Sequence, residues 1–224
     1  MTDIYMGDPP IYYKCPACGN YYRTSKYITY NSFGSKNYTD GVIEGSMYFD
    51  DFWFTTCPKC KNTFDKKYLI SLDEEVEIED DNFDTKLIGK YDSNNSSQLF
   101  NPNIWKKVIN TELFFPKKCK EKEKLEVRKN LYLGLWRAYN RSEVKKEYTH
   151  KEYYNCCKIL INMITPSKKD TDYLLLAELY RNIGEFTKSF ETLLAIKEKE
   201  EFFIEIYNLV LAILFKKTLT LEIL

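Results

Sequence analysis

The sequence predicts an α+β protein with a small, cysteine-containing β region at the N-terminus and an all-α region of helical hairpins at the C-terminus. Three observations favour this fold class. Four of the seven cysteines form two C-x-x-C pairs in the first part of the chain. Short aromatic-rich runs surround these pairs, whereas apolar residues recur at helical spacing from about residue 120 onward. With 224 residues, 44% of them apolar, the chain is long enough to bury a substantial core.

Composition and charge exclude several classes of protein. The 33 basic side chains balance 33 acidic ones, so the chain as a whole is not a polycation built for nucleic acid or an anionic membrane. The N-terminal residues MTDIYMGDPP contain acids and prolines but no apolar run, which argues against a secretory signal. The longest apolar stretch, residues 202–215, contains Glu205 and is too short to span a bilayer. We therefore expect a cytoplasmic protein with no membrane partner.

Changes in composition along the chain predict four segments. Residues 1–71 are rich in Tyr, Phe and Cys and are assigned to the small β domain. Residues 72–98 are assigned to an acidic linker or loop, residues 99–120 to a connecting segment, and residues 121–224 to the helical domain. Between Asp73 and Asp84 the linker has eight acids and no base, a pattern typical of a solvated loop. The role of this acidic segment is left open.

Strands are predicted where aromatic and β-branched residues concentrate in the first segment, at Tyr21–Tyr30 and Ser46–Thr56. Residues Asn31–Gly45 contain three glycines together with Asn and Ser, which predicts a loop. Residues Lys67–Leu72 are interpreted as a strand or a short helix. Two hairpins built from such strands would bring the C-x-x-C turns together at their tips.

The strongest chemical signal is the pair of motifs Cys15-Pro-Ala-Cys18 and Cys57-Pro-Lys-Cys60. A C-x-x-C turn can direct two thiolates at one ion, and two such turns supply the four thiolates of a closed tetrahedral site, as in a zinc ribbon. This four-thiolate set leaves no open position, which favours one structural Zn²⁺ over a catalytic ion. Four thiolates also accept iron, so the sequence leaves the choice of metal open. A redox dithiol would need only one pair, in a βαβ context that the sequence lacks.

The remaining reactive side chains give no second site. Cys119 lies among lysines and is predicted to be exposed, whereas Cys157 is predicted to lie in the core. His150, the single histidine, lies in a polar segment and is interpreted as a surface residue. The acidic pair Asp50-Asp51 lacks the ordered spacing of a divalent-cation site, and the common phosphate-binding and H-E-x-x-H motifs are absent from the sequence. We therefore assign no catalytic residue.

Apolar periodicity predicts a series of helices in the second half of the chain. A short helix is expected before Pro116, and longer helices follow in antiparallel pairs. Asp170 or Thr171 is expected to cap the third long helix, and Gly184 separates it from the fourth. The third helix is expected to run through Tyr180 to about residue 182, the fourth from Glu185 to about residue 199, and the fifth from Phe202 to about residue 217. The residues assigned to the first two long helices are Leu125, Leu131, Leu135 and Tyr139, and Tyr153, Cys157, Leu160, Ile161 and Ile164.

One helical hairpin matches the tetratricopeptide (TPR) opening W-x-x-L-G-x-x-Y, with Tyr173 in place of Trp and Ala177 in place of Gly. Small residues at positions 177 and 189 would let the two helices approach closely. The alternative is a generic helical hairpin with the same apolar stripe. The residues assigned to repeat packing are Tyr173, Leu176, Ala177, Tyr180, Gly184, Phe186, Ser189 and Leu193. The last helix is apolar around much of its circumference and is predicted to be buried as a cap, whereas an exposed face there would mark a surface for a partner or for self-association.

Together, the widely spaced C-P-x-C motifs and the TPR-like helices resemble a group of uncharacterised bacterial zinc-ribbon proteins with C-terminal tetratricopeptide-like helices. The similarity includes the aromatic segment Tyr48–Cys57 and the segment Ala177–Phe186. Lys61 departs from the pattern, because a glycine is expected after the second motif. The resemblance implies the two-part architecture and a zinc ion, and it supplies no catalytic residues.

The function that the sequence favours is a non-catalytic adaptor or scaffold, which binds another protein through the TPR-like helices and the ribbon face. The alternative is a nucleic-acid-binding zinc ribbon with a helical oligomerisation domain, because aromatic and basic residues alternate after the first motif. The candidate residues for nucleic-acid contact are Tyr21, Tyr22, Arg23, Lys26 and Tyr27. An enzyme of unrecognised type is the third hypothesis.

Overall fold

The computed structural model is mostly helical. It describes residues 11–24, 36–38, 40, 43–44, 54–57, 59–68, 70–71, 101–110, 113–141, 149–165, 169–215 and 222–223. The acidic segment 73–84 and the acidic pair at 50–51 lie outside these residues. Among the helices described, none is both long enough and apolar enough to cross a membrane. The four predicted segment boundaries stay predictions.

Short antiparallel strands make up the N-terminal part. Strand β1 (Ile11–Lys14) pairs with β2 (Tyr21–Thr24) on one edge and with β7 (Ile70–Ser71) on the other. A separate hairpin consists of β5 (Phe54–Thr56) and β6 (Thr63–Asp65). A 3-10 turn at residues 66–68 leads from β6 to β7, so the segment predicted as a strand or a short helix contains one turn of helix and a strand.

The segment predicted to be a loop between the two cysteine motifs contains two strands. Strand β3 (Lys36–Tyr38) pairs with β4 (Ile43–Glu44). Strand β8 (Glu222–Ile223) adds to the other edge of β3, with Asn37 opposite Ile223. The loop prediction is wrong at these positions, because the third strand comes from a distant part of the chain that local composition cannot indicate.

Helices form the second part of the chain, and each packs against its neighbour in sequence. They are α1 (Pro102–Ile109), α2 (Glu121–Arg141), α3 (His150–Ile164), α4 (Asp170–Asn182), α5 (Phe186–Leu194) and α6 (Phe203–Leu214). Helix α6 packs on both α4 and α5. The prediction that this helix is buried as a cap is wrong for its other side, where Phe203, Tyr207 and Leu214 are exposed. Local capping explains two of the starts: the Asn101 side chain accepts a hydrogen bond from the N–H of Asn103, and Thr149 with Glu152 forms a capping box at α3.

Two helix boundaries differ from the sequence prediction for a single reason. Asp170 is the first residue of α4 rather than its cap. Its carboxylate accepts hydrogen bonds from the backbone N–H groups of Lys197 and Glu198, at 3.0 and 2.9 Å. These bonds hold the chain that follows α5 in a non-helical conformation. Helix α5 therefore ends at Leu194, and the predicted end at Lys199 is wrong.

The main hydrophobic core lies between α2, α3 and α4. Trp136, Leu160 and Leu179 contribute one fully buried side chain from each of these helices. Phe54 of β5 belongs to the same core, because its ring makes an edge contact with Trp105 of α1 at a centroid distance of 6.5 Å. The hairpin that carries the second cysteine motif is thus packed directly against the helices.

Candidate metal centre

The two C-x-x-C motifs lie in matching hairpin turns. Residues Cys15–Asn20 connect β1 to β2, and residues Cys57–Asn62 connect β5 to β6. In each turn the N–H of the first cysteine donates to the carbonyl of the sixth residue, and the N–H of the fifth residue donates to the carbonyl of that cysteine. The donor–acceptor distances are 2.7 and 2.9 Å in the first turn and 2.9 and 2.8 Å in the second. The two turns therefore have the same backbone fold.

The fifth residue of each turn has a left-handed backbone conformation. Gly19 has φ of 74°, and Lys61 has φ of 62°. Glycine adopts this conformation readily, whereas it costs a residue with a Cβ atom about 1–2 kcal/mol. A glycine is expected at position 61 because this backbone conformation favours it. The lysine found there introduces local strain.

The matching turns bring four thiols together. The Sγ atoms of Cys15 and Cys60 are 4.0 Å apart, and those of Cys18 and Cys57 are 3.6 Å apart. All four sulfurs lie within 4.8 Å of one another. A tetrahedron with Zn–S bonds of about 2.3 Å has sulfur–sulfur edges of about 3.8 Å. The four cysteines could therefore bind one metal ion.

Backbone amides favour the charged form of the inner sulfurs, and burial shields a bound ion from solvent. The N–H groups of Ala17 and Cys60 donate to the Sγ atoms of Cys15 and Cys57, each at 3.4 Å. Both of these cysteines are buried, whereas Cys60 is half-buried and Cys18 is exposed. Hydrogen bonds from the backbone stabilise negative charge on sulfur, and burial limits exchange of an ion with solvent.

Without a cation, the electrostatics of the cluster favour neutral thiols. Desolvation raises the pKa of Cys18 to about 12, and the neighbouring thiols act in the same direction. Desolvation also raises the pKa of Cys60. A divalent cation reverses this balance, because it attracts the thiolates and the protons are released when it binds.

Apolar side chains close the inner side of the cluster. Phe64 of β6 is buried and packs with Cys15 and Cys57. Its ring makes an edge contact with Phe114 at 6.5 Å. The N–H of Phe114 also donates to the carbonyl of Thr63 at 2.8 Å. The segment that follows α1 therefore supports the second cysteine turn.

Comparison with known proteins finds no matching family model, no matching curated protein and no matching solved structure. The interpretation of the centre rests on its own geometry.

The other cysteines do not add ligands to this cluster. Cys156 and Cys157 are buried in α3, and burial raises the pKa of both thiols. Cys119 is half-buried, and its sulfur lies 3.2 Å from the hydroxyl oxygen of Tyr68. The prediction that Cys119 is exposed is wrong, because the chain after α1 folds back onto the 3-10 turn. His150 is exposed at the first position of α3, as expected.

The residues assigned to repeat packing divide between two clusters: Ala177 and Leu193 are buried together between α4 and α5, whereas Leu176 and Tyr180 belong to the main core. Ala177 and Ser189 are both fully buried, and the Ser189 hydroxyl donates to the carbonyl of Ala177 at 2.6 Å. Gly184 has φ of 80° in the turn between the helices. Of the remaining assigned residues, the buried ones are Leu176 and Leu193, and the half-buried ones are Tyr173, Tyr180 and Phe186. The close approach expected from small residues is present.

Of the candidate residues for nucleic-acid contact, the side chain of Tyr21 alone is described. The ring of Tyr21 is half-buried and lies 5.7 Å from the ammonium group of Lys14. Tyr22 and Arg23 belong to β2. Lys26 and Tyr27 lie outside the described residues, so this contact surface stays a prediction.

A buried polar cluster that the sequence analysis missed joins the β3–β4 hairpin to the helices. Asp40 is buried, and its carboxylate accepts hydrogen bonds from the guanidinium of Arg141, at 2.8 Å, and from the amide of Asn140, at 2.9 Å. Its backbone carbonyl accepts a hydrogen bond from Nε of Arg137 at 3.1 Å. The pairing spans 101 residues, so no local pattern could have indicated it.

The cluster continues into α4 through Tyr153. Its hydroxyl lies 2.8 Å from the amide oxygen of Asn140 and 2.7 Å from that of Asn182. One turn earlier in α4, Glu178 and Arg181 form a fully buried ion pair, with Nε to Oε2 at 2.8 Å. The spacing Glu-x-x-Arg on an apolar helix is a signal that could have been found from sequence. Because the pair is enclosed by protein, it offers no access to a substrate, and we interpret it as a packing device.

Proposed function

We propose that the four cysteines hold one structural Zn²⁺, and that the hairpins β1–β2 and β5–β6 form a zinc ribbon around it. The observation that carries this proposal is the set of sulfur–sulfur distances, which lie close to the edges of a tetrahedral zinc–thiolate site. Four sulfur ligands fill the coordination sphere, so no position is open for water or substrate. The ion would then contribute its binding free energy to the stability of a small β region.

Metal analysis of the purified chain tests this proposal. We expect one zinc per chain, no visible absorption from iron, and loss of zinc from the variant Cys57→Ser. The matched control Cys119→Ser changes a cysteine outside the cluster and should retain one zinc. Stoichiometric iron, or a folded chain that contains no metal and does not take up zinc, would contradict the proposal.

We propose further that the protein is a non-catalytic adaptor or scaffold with a TPR-like helical part. Its support is a set of large apolar side chains that the last two helices expose to solvent. These are Phe190, Leu194, Phe203, Ile204, Tyr207, Leu214 and Phe215. Exposed apolar patches of this kind are typical of interaction surfaces, and stacked helix pairs are used mainly for protein contacts. The Ser189–Ala177 contact and the Gly184 turn support the TPR-like interpretation, in agreement with the resemblance to bacterial zinc-ribbon proteins.

Affinity purification of the tagged chain, with and without nuclease, tests the adaptor proposal. We expect a stoichiometric protein partner that survives nuclease. Tyr207→Glu places a charge on the exposed apolar surface, and Leu125→Glu is a matched control on an exposed apolar residue of α2. If Leu125→Glu retains the partner and Tyr207→Glu loses it, the partner binds at the exposed apolar surface around Tyr207. A robust enzymatic activity that a single substitution abolishes would overturn the proposal.

Nucleic-acid binding stays the second candidate, and a number of exposed lysines favour it. Where the chain after α1 contacts β6 and the 3-10 turn, exposed lysines come from both sides of the contact. They are Lys59, Lys61, Lys67, Lys117, Lys118 and Lys120. Lysines grouped in this way can contact successive phosphates although the net charge of the chain is zero. We expect the variant Lys117→Glu/Lys118→Glu to weaken binding of a single-stranded oligonucleotide and to reduce its salt dependence. Binding that is absent at low salt would exclude this candidate.

A further inference from the structure

Helix α6 is apolar on two opposite faces but buried on only one of them. Leu209 and Ala212 are buried against α4 and α5. On the opposite side, Phe203, Tyr207 and Leu214 have between 53% and 70% of their surface exposed. With 3.6 residues per turn, these three residues, together with Ile204 and Phe215, fall within an arc of about 120°. A helix that is apolar all round is normally covered on all sides, so the exposed arc of α6 requires a partner.

Two of the aromatic residues on this arc are in contact with each other. The rings of Phe203 and Tyr207 stack with a centroid distance of 6.3 Å and an interplanar angle of 17°. Because the rings hold each other in place, a partner that packs on them immobilises few additional torsions, which lowers the entropic cost of association.

We propose that the exposed arc of α6 pairs with the same arc of a second copy of this chain, in antiparallel orientation about a two-fold axis. This inference rests on the proposed function, since it names the partner of one surface of the adaptor. Helix α6 packs on the α4–α5 hairpin as the first helix of a further pair would. No second helix of that pair exists among the described residues, and α6 of the second copy would occupy its place.

Charge complementarity determines the orientation. Residues 197–205 contain four acids and two lysines, whereas Lys216 and Lys217 follow the helix directly in the sequence. An antiparallel pair would combine opposed helix dipoles with attraction between the acidic sequence before α6 of one copy and the lysines that follow α6 in the sequence of the other. A parallel pair would place like charges together at both ends.

The exposed arc supplies a large part of the area that a dimer needs. Aromatic side chains bury about 150–250 Å² each, so the exposed parts of Phe203, Tyr207 and Phe215 amount to about 400 Å² per copy, to which Ile204 and Leu214 add. A specific interface of ordinary size buries about 800 Å² per partner. The exposed Phe190 and Leu194 of α5 offer further apolar area on the same hairpin stack.

Sedimentation velocity or light scattering over a range of concentrations tests the inference on the full chain with its metal content verified. We expect a concentration-dependent dimer. Tyr207→Glu should weaken it by about tenfold or more, because a charge would be buried at the centre of the interface. Leu125→Glu should have no effect. A chain that is monomeric at all concentrations, or a dimer that Tyr207→Glu does not weaken, would overturn the inference.

A charge-exchange experiment tests the antiparallel orientation without removing apolar area. The variant Glu200→Lys/Glu201→Lys is basic at both ends of α6, and Lys216→Glu/Lys217→Glu is acidic at both ends. Each variant alone should dimerise several-fold more weakly than the original chain, and an equimolar mixture should form a heterodimer. A variant that alone dimerises as tightly as the original chain would contradict the antiparallel pair, because in a parallel pair each double substitution leaves like charges facing each other as before.

A monomeric chain that still captures a different protein would overturn the second-copy inference and leave the adaptor proposal intact.

Discussion

The indole ring of Trp105 lies directly over the backbone of Gly134. A Cβ atom built on this glycine would overlap the six-membered part of the ring. Helix α2 therefore uses a residue with poor helix propensity in its interior, because only a glycine leaves room for the tryptophan of α1. Through the contact between Trp105 and Phe54, the same position also supports the hairpin that carries Cys57.

Gly134→Ala should lower the free energy of unfolding by about 2–3 kcal/mol, because the added methyl group overlaps a rigid, buried ring. On helix propensity alone the same substitution would stabilise α2 by about 1 kcal/mol. Urea denaturation at fixed metal content measures the difference. In a Trp105→Leu background the steric penalty should disappear, and Gly134→Ala should become neutral or stabilising. A destabilisation of the same size in both backgrounds would show that the overlap is not its cause.

Lys61→Gly should stabilise the protein by about 1 kcal/mol, since the lysine holds a strained left-handed backbone that glycine adopts freely. The midpoint of urea denaturation of the metal-loaded protein measures this gain. Lys59→Gly is the matched control in the same turn, where the backbone does not require glycine. It should be neutral or slightly destabilising. If Lys61→Gly and Lys59→Gly changed the stability equally, the left-handed backbone of residue 61 would not be the cause of the gain.

Removing one member of the buried pair Glu178–Arg181 should be costly. Either Glu178→Gln or Arg181→Met leaves a buried group without its charged partner, so each should lower the free energy of unfolding by about 3–5 kcal/mol. The double variant Glu178→Leu/Arg181→Met removes both charges and should cost clearly less than the two single changes added together. The exposed pair Glu185–Lys188 provides the comparison, and Glu185→Gln should cost less than about 1 kcal/mol. Strict additivity at positions 178 and 181 would contradict this account.

The cap of α3 should make stability depend on pH in the acidic range. The hydrogen bond from Lys106 at 2.7 Å, followed by that from the backbone N–H of Thr149, lowers the pKa of Glu152. A carboxyl whose pKa is lower in the folded state stabilises the fold above its unfolded pKa of about 4.3, and this contribution is lost as the pH falls through the folded value. Glu152→Gln should therefore cost up to about 1 kcal/mol at neutral pH, since the side chain is half-exposed.

The difference in stability between the original chain and Glu152→Gln should shrink as the pH is lowered from about 7 to about 3.5. Chemical denaturation of both proteins at each pH measures it, and the behaviour of the metal centre cancels because it is common to both. Lys106→Met removes the largest cause of the shift and should flatten the same pH dependence. A difference that stays constant over this range would contradict the role of Glu152.

Local patterns predicted the helices, which follow from apolar periodicity. The thiol cluster joins residues as far as 45 positions apart, and it was predicted because each half carries its own C-x-x-C motif. Contacts between distant residues that carry no such motif were missed, because nothing in a short window records them. Asp40 and Arg141 belong to this second class, and so does the carboxylate of Asp170, which ends α5 early by binding the backbone of residues 197 and 198. Neither the metal nor the partner is part of the chain. The identity of each therefore stays a proposal.

The register that places Asn37 opposite Ile223 has a consequence for the order in which the protein folds. Both cysteine turns form from neighbouring residues and can close as soon as their hairpins have been synthesised. The sheet that contains β3 cannot be completed until β8 has left the ribosome, after the helices α1 to α6. Because closing such a long loop is entropically slow, the amide of β3 that bonds to β8 should gain protection from hydrogen exchange last.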